Sequence, residues 1–133
     1  MRECRYYLAR TANVAQKQLD DLLPNSKAGG TMKAMVLEKI SSVEERPLKL
    51  VELPKPVPGK GQVLVRVSTC GVCHTELDEI EGRVSPSRLP MILGHEVVGR
   101  VQTSGPGAKK FKKGDRVGIA WINWACGKCS FCL

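Results

Sequence analysis

Residues Gln62–Ser68 alternate strictly: Val63, Val65 and Val67 point one way, and Gln62, Leu64, Arg66 and Ser68 the other. A period of two marks a strand with one face on a core. Met32–Lys39, Leu48–Leu53, Glu96–Gln102 and Arg116–Trp121 share this strand-like texture. Pro54, Pro56, Pro58 and Gly59 predict a stiff turn, and Pro86 and Pro90 mark a loop. One short helix is predicted over Thr75–Glu81. Thr75 can cap it, Asp78 sits at its third helical position, and Gly82 closes it. Short strands separated by turn signals predict a mainly β fold, a small β-barrel. No internal repeat is visible.

Residues 1–31 read differently. Leu8, Ala12, Ala15, Leu19 and Leu22 recur at three- or four-residue steps, and Pro24, Asn25 and Gly29-Gly30 end that pattern. The expected organisation is an N-terminal extension over 1–31, helical or disordered, followed by one domain over 32–133. Arg2, Arg5 and Arg10 precede any aspartate, as in a targeting segment, but Glu3 and the scarcity of serine argue against one.

The 133 residues suffice for one domain and are too few for two ordinary ones. No apolar run approaches the roughly 20 residues of a membrane span, so no membrane partner is expected. The net charge is +8, and between Arg100 and Lys128 seven basic residues face only Asp115. A nucleic-acid site would need aromatic or motif support. Only Phe111 is interleaved among Lys109, Lys110, Lys112 and Lys113, so a solvated turn is the favoured reading and no nucleic acid is expected. The functional alternative is mild attraction for a phosphate-bearing cofactor.

Six cysteines are unevenly placed: Cys4, Cys70, Cys73, and the run Cys126, Cys129 and Cys132. Such spacing without a secretory signal reads as metal binding in a reducing, cytoplasmic setting. Cys73 and His95, 22 residues apart, supply the thiolate and imidazole that zinc favours where it also does chemistry. Cys73 falls between a strand and a helix, where a helix N-terminus stabilises negative charge. Gly94 and Gly99 bracket His95 and could let the backbone bend around a metal. Glu96 could orient the metal's histidine or serve as an alternate ligand. A buried cysteine and a satisfied core histidine remain the structural alternative.

The segments STCGVCHTELDEIEG at 68–82, LPMILGHEVVGRV at 89–101, FKKGDRVGIAWIN at 111–123 and CGKCSFC at 126–132 together resemble the zinc-dependent medium-chain alcohol dehydrogenases. The resemblance covers Met32 to Leu133. It implies a GroES-like, partly open β-barrel holding zinc, followed in that family by a Rossmann domain holding NAD or NADP. It implies that Cys73 and His95 are catalytic zinc ligands and that Thr75 takes the substrate's proton. His74 matches a position that often touches the cofactor phosphates. Trp121 is similar to an aromatic residue of the substrate pocket, with plain core packing as the alternative. Cys126, Cys129 and Cys132 resemble the family's structural zinc loop.

The sequence also departs from the family. Glu76 stands where many relatives carry an aspartate beside the zinc histidine, and Asp78 where many carry a proton-relaying histidine. Aspartate and histidine exchange protons in different pH windows. A fourth cysteine for the structural zinc, a third catalytic ligand and a GxGxxG fingerprint do not occur downstream in these 133 residues. The expected function is the N-terminal catalytic portion of a zinc-dependent dehydrogenase that oxidises a small alcohol to an aldehyde or ketone with NAD(P). These residues alone are expected not to turn over. The alternative is a non-catalytic zinc-binding or subunit-interaction module, paired with an oligomeric copy or a separate cofactor domain. Two further readings weigh less. Cys70-Gly71-Val72-Cys73 has thiol-exchange spacing but lacks the long helices of thioredoxin-like proteins, and the Cys126–Cys132 run lacks the last cysteine and proline of a ferredoxin cluster.

Overall fold

The computed structural model describes residues 6–10, 30–86, 88–121 and 129–130. Its elements are strands β1 (Tyr6–Arg10), β2 (Thr31–Leu37), β3 (Leu48–Pro54) and β4 (Gln62–Cys70), helix α1 (His74–Glu81), and strands β5 (Val97–Ser104) and β6 (Arg116–Ile119). A 3-10 turn spans Val43–Glu45. One antiparallel sheet runs β1-β4-β5-β6, and β2 and β3 form a separate hairpin. Among the described residues the architecture is mainly β with one short helix and no closed barrel, the open GroES-like arrangement.

Alternation builds the core. Val63, Val65 and Val101 are buried from neighbouring strands, with Ala108, Phe111, Val117 and Ile119 packed against them. Fully burying such a side chain contributes roughly 1.5–3 kcal/mol. Leu64, expected on the polar face, is buried as well; its backbone pairs with Leu8 of β1 and Thr103 of β5. In the hairpin, Met32, Ala34 and Val36 turn inward. Leu37 and Met91 exchange two backbone hydrogen bonds, of 2.8 and 2.9 Å, fastening the hairpin to the loop before His95.

Two expectations change. The extension contributes a strand, not a helix, at Leu8: Tyr6–Arg10 pairs antiparallel with β4 over five residues. A period near 3.6 at its start gives way to an edge that needs backbone partners. Ala12, Ala15, Leu19 and Leu22 lie outside the described residues. The helix is also capped earlier than expected, by Cys73 and not Thr75.

Candidate metal centre

β4 ends at Cys70, and its pairing with β5 continues one step beyond: the Gly71 N–H donates to the Glu96 carbonyl at 2.9 Å. A Cβ on Gly71 would collide with Glu96 Oε2, so the Glu96 side chain would have to swing aside to admit one. Gly94, at φ 121°, lets the chain turn beside Cys70 just before His95. Two ligand-bearing loops are thereby pinned together at the end of one strand pair.

Cys73 caps α1. Its Sγ accepts from the Thr75 N–H at 3.3 Å, and its own N–H donates to Glu76 Oε2 at 2.7 Å. The helix closes at Gly82 in a left-handed conformation. His95 Nε2 lies 3.3 Å from Cys73 Sγ. On the ring's other side, His95 Nδ1 is 2.9 Å from Glu76 Oε1. Glu76 is only 5% exposed, so one buried carboxylate caps the cysteine's backbone through Oε2 and sets Oε1, which makes no hydrogen bond, beside the histidine's ring. A carboxylate behind a histidine fixes its tautomer and aim for a metal.

Among the described residues, Cys73, Glu76 and His95 offer metal-ligating atoms within 4.8 Å of one another. Tetrahedral zinc, with sulfur about 2.3 Å and nitrogen about 2.0–2.1 Å away, puts those two atoms about 3.5 Å apart. The observed 3.3 Å between Sγ and Nε2 fits that requirement. The arrangement presents soft sulfur and imidazole as donors, with a carboxylate behind the ring, a set suited to zinc.

The surrounding charges respond to this burial. Burial pushes the Cys70 thiol above its ordinary value; a backbone hydrogen bond at Glu96 opposes the rise, and the Glu76 and Glu96 carboxylates add to it. Glu79 is raised by burial and by the Glu76 charge, against the pull of His95.

The other residues singled out in the sequence lie at varied distances from this centre. Thr75 is exposed at the first turn of α1. His74 points into solvent, 78% exposed, with Nε2 3.5 Å from Asp78 Oδ1. Asp78 in turn accepts from Arg83 Nε at 2.5 Å, so its carboxylate already faces a cation. Glu96 is not one of the three clustered residues; its carbonyl and side chain instead meet Gly71. Trp121 is 75% exposed. Cys129 is exposed, whereas Cys126 and Cys132 lie outside the described residues. The resemblance implied Glu76 behind the histidine but not its second role as cap. The signal was present: Cys73-x-x-Glu76 has capping-box spacing, with cysteine in the place of serine or threonine.

The fold and the site define a GroES-like domain with a cysteine–histidine centre. Residues 59–133 match the alcohol dehydrogenase GroES-like domain, and the chain belongs to that family. It is 48% identical over 104 residues to an alcohol dehydrogenase of Geobacillus stearothermophilus, covering 77% of this chain and 29% of that protein. It is 43% identical over 108 residues to an NAD-dependent alcohol dehydrogenase of Sulfolobus acidocaldarius, covering 76% of this chain and 30% of the relative. In structure it is similar to the cobalt- and zinc-bound thermostable alcohol dehydrogenase of Pyrobaculum aerophilum, with a TM-score of 0.67 and 35% identity, covering 77% of this chain and 30% of that one. The chain thus spans less than a third of the length of these relatives.

Proposed function

We propose that these residues form the zinc-holding catalytic portion of an NAD(P)-dependent alcohol dehydrogenase acting on a small alcohol or its aldehyde. The observation that carries this reading is the approach of Cys73 Sγ and His95 Nε2 to 3.3 Å, with Glu76 behind both. Zinc held by Cys73 and His95 supplies Lewis acidity that lowers the pKa of an alcohol oxygen. Glu76 keeps the His95 ring aimed through Nδ1. Thr75, at the first turn beside Cys73, accepts the substrate's proton at Oγ1 and passes its own hydroxyl proton outward. Asp78, turned to Arg83, does not take over the outward relay that a histidine would perform, so proton release from Thr75 goes to water.

The exposed His74 is suited to meeting the cofactor phosphates, and the Cys126–Cys132 run to a structural zinc. Trp121, exposed at 75%, is read by resemblance as a substrate-facing aromatic. The tight cysteine spacing of the sequence supports a reducing, cytoplasmic setting. No described helix is long and apolar enough to cross a membrane.

Metal analysis of the purified chain tests the reading. Bound zinc that is lost in Cys73→Ser and His95→Asn is expected. A zinc content in both variants equal to that of the unsubstituted chain would remove its basis. The residues in hand are expected to bind metal without oxidising alcohol, because they contain no GxGxxG segment. NAD reduction at an ordinary dehydrogenase rate by these residues alone would overturn that part. Zinc retention with no gain of activity when a nucleotide-binding subunit is supplied would favour the non-catalytic module.

A further inference from the structure

The outer face of the four-stranded sheet carries a row of like charges. Arg66 of β4 pairs across to Arg100 of β5, and Arg100 pairs across to Arg116 of β6. All three are exposed. Strands in a sheet lie about 4.7–4.9 Å apart, so the row spans about 10 Å. Like charges directly opposite one another destabilise a sheet. Among the described residues none of the three has an ion-pair partner. Arg100 Nη1 donates to the Gly114 carbonyl at 3.0 Å, and the neighbouring Asp115 accepts instead from the Lys112 N–H at 2.9 Å. The core lies on the opposite face, at Val65, Val101 and Val117, so packing does not require arginine here. Exposed Lys112 and Lys113, in the turn leading into β6, add to the same positive field.

We propose that the Arg66–Arg100–Arg116 row is a docking surface for an acidic α-helix of a partner protein. Three carboxylates on one helical face at i, i+4 and i+7 span about 10.5 Å at 1.5 Å per residue. Three on one face of a strand span about 13 Å, a poorer match to the row. The planar guanidinium fork suits carboxylates in two-point contact, which a row of lysines would not provide. Single-stranded nucleic acid needs stacking aromatics beside the cations. Phe111 packs against the core with Lys110 Nζ 5.4 Å from its ring centre; Tyr6 of β1 pairs across to Arg66, and an oligothymidylate comparator decides between a nucleic acid and the acidic helix.

Fluorescence anisotropy on the full 133-residue chain tests this with a labelled helical peptide bearing glutamates at i, i+4 and i+7. Its glutamine analogue and an oligothymidylate of equal charge are the comparators. The glutamate peptide is expected to bind about tenfold tighter than its analogue at low salt and to weaken as salt rises. Arg66→Gln, Arg100→Gln and Arg116→Gln should each weaken it about two- to fivefold, the range of exposed ion pairs. Lys33→Gln, on the separate hairpin, should leave it unchanged. Arg100→Lys guards against misfolding: it keeps the charge, and intermediate affinity is expected. A triple Arg→Glu variant should instead bind the lysine version of the peptide. Three results overturn the proposal: equal binding of the glutamate and glutamine peptides, equal weakening by Lys33→Gln and Arg100→Gln, or tighter binding of the oligothymidylate.

Discussion

The two ends of α1 use similar chemistry in opposite surroundings. At the first turn Glu76 is 5% exposed and touches both Cys73 and His95. At the far end Glu81 and Asp78 meet Arg83, whose side chain is half exposed. Both ends set a carboxylate against a nitrogen side chain, the His95 ring at the first and the Arg83 guanidinium at the second. Water screens the second group, so its pairs contribute little. At the first, Glu76 is cut off from water, so removing a member strands its partner. Burial, not the number of contacts, therefore decides which end of the helix the metal centre depends on.

The strongest way to break this contrast is at the ligands. Cys73→Ser or His95→Asn should remove about one zinc per chain, apart from any held by the Cys126–Cys132 run, read by elemental analysis of protein after gel filtration. Next is the carboxylate behind them. Glu76→Gln keeps an acceptor for the Cys73 N–H but loses the charge facing His95, and zinc affinity should fall about 10–100-fold in a chelator competition. Glu76→Ala also leaves that N–H without its acceptor and should cost about 1–3 kcal/mol in urea unfolding. An affinity change under twofold for both variants would mean that Glu76 is not what holds the site.

Smaller effects sharpen the comparison. Burial raises the Cys70 thiol, so its thiolate is scarce at neutral pH. Iodoacetamide should modify exposed Cys129 before Cys70, as followed by peptide mass spectrometry; the reverse order would contradict the burial. The smallest effect belongs to the far end of α1. Hydrogen bonds from Arg83 and from the Val43 N–H hold Glu81 below its ordinary value. A depressed carboxylate contributes stability above its unfolded pKa and loses it as pH falls through the folded one. Arg83→Ala should therefore show a slight loss near neutrality that closes in acid. Equal separation of the two denaturation curves at pH 2 and pH 7 would show that Arg83 acts otherwise.

The strands were legible because each has one wet face. Val63 and Val65 read as inward in the sequence and are buried. Leu48–Leu53 was bounded to within one residue by its prolines. Gly82 closed the helix as its position implied. β1 was not legible, because Tyr6–Arg10 has no alternation of its own and is selected by the open edge of β4. The start of α1 was misread because cysteine is not an expected cap. Its sulfur accepts a backbone hydrogen bond as a hydroxyl oxygen would, and Glu76 completes the box. At the centre, local sequence suggested Cys73 and His95, but their approach depends on the β4–β5 register, which no window of either segment contains.

The hydrogen bond from Gly71 to Glu96 is the last rung of the β4–β5 ladder, and it ties together the two loops that carry the ligands. Because those loops meet only once the strands are zipped, the site is a late product of folding, reached after the entropy of closing a long loop has been overcome. Zinc arriving early would find the cysteine and the histidine apart. Zinc arriving late would find them side by side and act as a latch on the finished sheet, slowing its unfolding more than it speeds its assembly.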